Sequence, residues 1–105
     1  MALLMGAELL EMADGQSLDL RIPKWEIGEL DIHPAYGERV KRIRALRVWV
    51  PPEDKRLGPP YWDITSQTLI AQLEPYLGVE TFRTRVFRVT KYGIAPRARF
   101  TLEVR

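Results

Sequence analysis

The sequence predicts an α+β fold, with about six strands in hairpins forming a mostly antiparallel sheet or small open barrel beside one main helix at about 64–77. Three patterns indicate it. Apolar and polar residues alternate through 97–105, as in a strand with one buried face. Apolar residues within 69–77 recur at helical spacing. Asp14-Gly15 separates two apolar runs, which is typical of a tight hairpin turn.

The first predicted hairpin has its turn at Asp14-Gly15. Residues 8–13 are expected to form one strand, although the leucines and methionines of 1–13 also fit a short helix. Residues 17–22 alternate in polarity and are expected to form the next strand. Pro23 ends that strand because proline fixes φ and has no backbone N–H to donate.

The next stretch is predicted to continue the sheet. Residues 25–32 suggest an extended segment with a bend or bulge near Gly28. Residues 39–50 end in alternating β-branched and aromatic side chains, so we expect a strand, although their first half also has helical spacing. Residues 51–62 include four prolines and a glycine and are predicted to be a long, stiff loop.

The predicted helix follows this loop. Asp63 is the expected N-cap, since its side chain can accept from the first free N–H groups of the helix. The regular part is expected over 64–74, with a kinked extra turn to Leu77 caused by Pro75. Gly78 is the expected stop.

The C-terminal hairpin is predicted to pair 80–91 with 97–105 across Tyr92-Gly93. Phe82 and Phe87 have opposite strand parity, so we expect either a bulge near Val86 or partial cover on both faces.

Composition limits the classes of protein that fit. The chain has 105 residues, is 46% hydrophobic, and is expected to be one domain, 1–105. It has no cysteine, which excludes disulfides, thiolate zinc sites and cysteine nucleophiles. No run has the length of a membrane span or the form of a signal peptide, so we expect a cytoplasmic protein that does not bind membranes. The absence of asparagine and the excess of arginine over lysine suggest a thermophile, although a GC-rich genome has a similar effect.

Charge is distributed unevenly along the chain. The net charge is −6 over 1–38 and +8 over 39–105, which together give +2. A polyanionic partner for the basic part, pairing of the two parts within one molecule, and head-to-tail assembly of several molecules are all consistent with this asymmetry.

The basic residues of the C-terminal hairpin are the first candidate site. A strand face that bears arginines can follow a phosphate backbone, with Phe87 and Tyr92 as stacking partners if they are exposed. An ordinary solvated strand face has the same composition. The candidate anion-binding residues, with two from the earlier basic run, are Arg83, Arg85, Arg88, Arg97, Arg99, Arg42 and Arg44.

Tyr61 and Trp62 are the candidate partner-binding residues. They follow Pro59-Pro60, and a proline-stiffened loop can present two aromatic side chains to a partner. The alternative is that both rings fill the core below the helix, as large aromatic side chains commonly do.

Catalytic signatures are weak. His33 is the single histidine, and Asp31 would share its strand face, which is a possible acid–base pair. No nucleophile, metal-ligand spacing or glycine-rich phosphate loop accompanies it, so no catalytic residue, metal or cofactor is expected.

These observations favour a small non-catalytic module that binds a protein partner or self-associates. The alternative is a nucleic-acid-binding protein that uses the basic C-terminal hairpin face. An enzyme is a distant third interpretation.

Overall fold

The computed structural model describes residues 2–32, 40–94 and 97–105. It confirms the predicted α+β class: six strands form two antiparallel three-stranded sheets beside one main helix. The elements in chain order are β1 (Ser17–Leu20), β2 (Lys24–Ile32), β3 (Lys41–Trp49), β4 (Tyr61–Ile64), α1 (Gln67–Leu77), β5 (Phe87–Tyr92) and β6 (Arg99–Val104). Short 3₁₀ turns occupy Pro52–Asp54 and Glu80–Thr84.

The first sheet has the order β2-β3-β4. β2 and β3 pair without interruption from Lys24 opposite Trp49 to Ile32 opposite Lys41, so the expected bulge at Gly28 is absent. Gly28 instead allows close approach of another segment: a Cβ atom there would lie 2.6 Å from Leu4 Cγ. The small residue therefore makes room for the N-terminal chain on this face.

The second sheet has the order β1-β5-β6. Its inner face buries Phe87 and Val89 completely, while the outer positions of β6 are exposed. The predicted pairing of β6 with the preceding strand is confirmed, and the expected pairing of 8–13 with 17–22 is wrong, since β1 pairs with β5. Gly15 does form a turn, with φ +81, and its N–H donates to the Lys91 carbonyl at 2.7 Å.

Residues 2–10 form neither a helix nor a regular strand but an extended segment, here called the N-terminal strap. Near its start, the Leu4 N–H donates to the Glu29 carbonyl of β2 at 2.8 Å. Near its end, the Leu10 N–H donates to the Asp63 carbonyl of β4 at 2.9 Å. β2 and β4 are the two outer strands of their sheet, so one segment contacts both edges and crosses the face between them.

Helix α1 begins at Gln67, three residues later than expected. Ser66 is the N-cap, and its hydroxyl accepts from the Leu69 N–H at 3.3 Å. The assignment of Asp63 as cap is wrong, because Tyr61–Ile64 pair with β3 as strand β4. The helix continues through Pro75 to Leu77, and Gly78 follows it with φ −74, outside the left-handed conformation of a typical glycine stop.

The turn at Glu80–Thr84 explains the mixed parity of the basic hairpin. Phe82 lies in this turn and Phe87 at the first position of β5, and both side chains are buried. Both rings therefore reach the core without a bulge in the strand. The main core lies between the two sheets and α1, and a smaller cluster of Leu4, Leu30 and Ala45 lies beneath the strap.

Candidate functional site

A buried ion pair holds β3, β4 and the strap together. Arg47 and Asp63 stand directly opposite each other on β3 and β4. The Arg47 guanidinium donates to the two Asp63 carboxylate oxygens at 2.7 and 3.0 Å, and the side chains are 8% and 0% exposed. The hydrogen bond with Asp63 raises the pKa of Arg47 above its ordinary value, although burial acts in the opposite direction. The Glu8 N–H donates to the same carboxylate at 2.8 Å, which ties the strap to the pair.

The middle of the strap is held by its Gly6 carbonyl. This oxygen accepts from the Arg47 guanidinium at 3.3 Å and from the Tyr61 hydroxyl. The Arg47 guanidinium also lies 4.0 Å from the centre of the Tyr61 ring. Gly6 has φ +68, a conformation that glycine adopts without strain.

Lys55 provides a second anchor for the strap. Its side chain is 4% exposed, and its ammonium group lies 3.3 Å from a Glu8 carboxylate oxygen. It also donates to the Leu57 and Pro59 carbonyls at 2.9 and 2.6 Å, and lies 4.3 Å from the centre of the Trp62 ring. Buried charges need such complete hydrogen bonding, since desolvation is costly.

Tyr61 and Trp62, the predicted partner-binding residues, are both half-buried. Tyr61 lies under Arg47, and Trp62 packs against the main core. Their described contacts lie within the molecule and position the strap. Their role toward a partner stays a prediction.

The strap presents a largely apolar surface to solvent, interrupted by the half-buried Glu8. Leu3, Met5 and Leu9 are 43%, 73% and 39% exposed, and Ala2 and Ala7 are also exposed. We call these five residues the strap surface. A shallow cleft of about 250 Å³ lies beside it and is lined in part by Leu3, Met5 and Leu30. Contiguous exposed apolar residues are a feature of interaction sites.

Three of the predicted anion-binding arginines are paired with carboxylates. Each donates to an acidic side chain at 2.7–2.8 Å: Arg42 to Asp31, Arg44 to Glu74, and Arg88 to Asp19. The hydrogen bonds with the carboxylates raise the pKa values of Arg42 and Arg88. These guanidinium groups already have anionic partners within the molecule.

The other four predicted arginines lie at the two ends of the second sheet. Arg83 and Arg85 are in and after the 3₁₀ turn that precedes β5, and Arg83 donates to the Pro23 carbonyl at 3.2 Å. Arg97 and Arg99 lie at the far end, where β6 begins. The structure therefore divides the predicted basic face into separate groups.

Exposed apolar residues accompany Arg97 and Arg99. Tyr92 stands directly opposite Arg99 and is 52% exposed, and Ile94 is 72% exposed. Phe87, the other expected stacking residue, is fully buried, so that part of the expectation is wrong. Across the described residues, no acidic side chain forms an ion pair with Arg97 or Arg99. We call Tyr92, Ile94, Arg97 and Arg99 the hairpin end.

Between the two ends, acids and hydroxyls interrupt the outer face of the second sheet. Asp19, Arg88 and Glu103 stand side by side on β1, β5 and β6. Ser17 and Thr90 on the same face join their hydroxyls in a hydrogen bond of 2.7 Å. Charges of both signs therefore alternate on this face.

Catalytic and metal chemistry gain no support from the described residues. His33 lies outside them, so its proposed pairing with Asp31 stays untested. Within 2–32, 40–94 and 97–105, no group of three or more histidine and carboxylate residues is placed to hold a metal ion. In the same ranges, no helix has the length and apolar character needed to cross a membrane.

Comparison with known proteins identifies no relative. No family model matches the chain, and neither a curated protein nor a solved structure matches it.

Two features were missed by sequence reasoning. The Arg47–Asp63 pair joins residues 16 positions apart on neighbouring strands, and it has no local signature. The strap surface does have a local signature in the sequence: residues 1–7 contain no charged side chain, although 29% of all residues are charged. That contrast is the signal that distinguishes this segment.

Proposed function

We propose that this chain is a small non-catalytic module that binds a protein partner or self-associates, and that the strap surface is its binding site. The observation that carries the proposal is the exposure of Leu3, Met5 and Leu9 on one short segment. Single exposed leucines are ordinary on protein surfaces, whereas three large apolar side chains exposed on one short segment are unusual.

The anchoring of the strap supports a binding role. Backbone hydrogen bonds fix it to Glu29 and Asp63, and the Gly6 carbonyl is held between them. A segment that is ordered before binding loses little conformational entropy when a partner docks. The apolar side chains are thus presented on a preorganised backbone.

The test compares two exposed positions. Met5→Glu places a charge on the strap surface, whereas Leu57→Glu changes a leucine that is 86% exposed elsewhere and serves as the control. Each purified variant is examined alone and with an extract of the native cells by light scattering and by cross-linking with mass spectrometry. We expect complexes cross-linked through the strap for the wild type and Leu57→Glu, and their loss for Met5→Glu.

Two results would contradict the proposal. One is a wild-type chain that forms no complex with itself or with any protein of the extract. The other is a complex that Met5→Glu retains in full, since the strap surface would then lie outside its interface.

Nucleic-acid binding is the second candidate function, and the hairpin end favours it. An exposed tyrosine beside arginines without carboxylate partners is the combination that single-stranded nucleic acids contact through stacking and phosphate pairing. Arg97→Ala with Arg99→Ala should weaken oligonucleotide binding and flatten its salt dependence. Arg88→Ala, at an arginine already paired with Asp19, is the matched control. Absence of oligonucleotide binding at low salt would contradict this function.

A further inference from the structure

Two exposed surfaces of this molecule complement each other. The strap surface is apolar, and Glu26, an exposed residue of β2, lies on the face of the first sheet that the strap crosses, opposite Arg47. Glu29 belongs to the same strand but points to its other face. Glu26 has no ion-pair partner within 4 Å in the described parts of the chain.

The hairpin end also combines apolar and charged residues, but its charged residues are basic. Its apolar residues are Tyr92 and Ile94, and its charges are Arg97 and Arg99. Asp14 lies beside this end, and its carboxylate accepts a hydrogen bond from the Gly93 N–H at 2.7 Å. Apolar residues would thus meet apolar residues, and the arginines would meet Glu26, if the two surfaces came together.

We infer that the partner of the strap surface is a second copy of this chain, which docks through its hairpin end. The inference rests on the proposed binding role of the strap. Within one molecule, no described hydrogen bond or ion pair joins residues 2–7 to residues 92–99, so each surface is available to another copy.

This contact joins two different surfaces and therefore leaves one free surface of each kind after every addition. Such heterologous contacts produce rings when the rotation closes and open chains when it does not. The arginine–glutamate attraction should weaken in salt, because the Debye length falls from about 10 Å at 0.1 M to about 3 Å at 1 M.

Sedimentation velocity of two blocked variants tests the inference. Met5→Glu blocks the strap surface and leaves the hairpin end intact, whereas Ile94→Glu does the reverse. We expect the wild type and the control Leu57→Glu to form species larger than a dimer at high concentration and low salt. Each blocked variant should remain monomeric alone. An equimolar mixture should form a dimer that grows no further, because only one productive contact exists.

If Met5→Glu lowers the thermal unfolding midpoint, Glu26→Arg replaces it and blocks the same surface by charge. A wild type that stays monomeric at every concentration overturns the inference, as does a mixture that stays monomeric. If the wild type is monomeric while a different protein cross-links to the strap, the head-to-tail contact is wrong and the proposed binding role stands. If the wild type neither self-associates nor cross-links to another protein through the strap, the head-to-tail contact and the proposed binding role are both wrong. Loss of oligonucleotide binding in Ile94→Glu, with no self-association of the wild type, assigns the hairpin end to nucleic acid instead.

Discussion

The Asp63 carboxylate accepts two short hydrogen bonds from the guanidinium of Arg47, its cross-strand neighbour, and the two side chains are 0% and 8% exposed. The same carboxylate accepts from the Glu8 N–H, while Arg47 donates to the Gly6 carbonyl. One ion pair therefore fixes two strands and the strap. A buried pair is compatible with stability when its remaining polar atoms are also satisfied, and among the described residues no buried side-chain polar atom lacks a partner.

Removing the charge of Asp63 should destabilise the fold strongly. Asp63→Asn keeps the side-chain shape but leaves the buried Arg47 guanidinium without a counter-ion, which costs about 3–5 kcal/mol. Urea denaturation measures the free energy of unfolding. Asp19→Asn is the matched control, since it breaks the exposed pair with Arg88 and should cost far less. Equal losses in the two variants would show that Arg47 is not isolated from water.

A methyl group at position 28 should displace the strap without unfolding the sheet. A Cβ atom on Gly28 would lie 2.6 Å from Leu4 Cγ and 2.7 Å from the Ala2 carbonyl oxygen. Gly28→Ala should therefore cost about 1–3 kcal/mol, as overpacking does, and speed hydrogen exchange of the Leu4 amide. Amides of β5 should keep their protection, because that strand belongs to the other sheet.

Gly15→Ala provides the control for this effect. Gly15 has φ +81, and no atom lies within 4 Å of the position that an alanine methyl group would take. Alanine there adds backbone strain of about 1–2 kcal/mol and no collision. In Gly15→Ala, the Leu4 amide should exchange hydrogen at the wild-type rate. Wild-type exchange of that amide in Gly28→Ala would mean that the strap does not depend on the glycine.

Local sequence patterns predicted the elements of this fold that depend on residues close together in the sequence. The alternation through 97–105 became β6, and the stripe containing Leu69, Leu73 and Leu77 became the buried side of α1. Both signals depend only on neighbours within a few residues, so they survive in the tertiary structure.

Partners distant in sequence could not be predicted in the same way. Asp63 has the local setting of a helix cap, but the strand opposite it supplies Arg47, and Ser66 serves as the cap. Arg88 looks like a free strand-face cation until Asp19, 69 residues earlier, is placed beside it. Pairing of this kind depends on sheet order, which sequence periodicity does not specify.

The Asp19–Arg88 pair should make stability sensitive to acid. The hydrogen bond from Arg88 holds the pKa of the Asp19 carboxyl below its ordinary value of 3.8. A lowered pKa in the folded state adds stability that is fully present above the unfolded value and is lost as pH falls through the folded-state pKa. The thermal unfolding midpoints of the wild type and Asp19→Asn should therefore differ at neutral pH and converge as the pH falls below 3.8. High salt should reduce the neutral-pH difference, because the pair is exposed. Glu80→Gln, at an exposed carboxylate with no ion pair among the described residues, is the control, and its unfolding midpoint at neutral pH should stay close to that of the wild type. A difference for Asp19→Asn that is constant with pH would rule out this role for the pair.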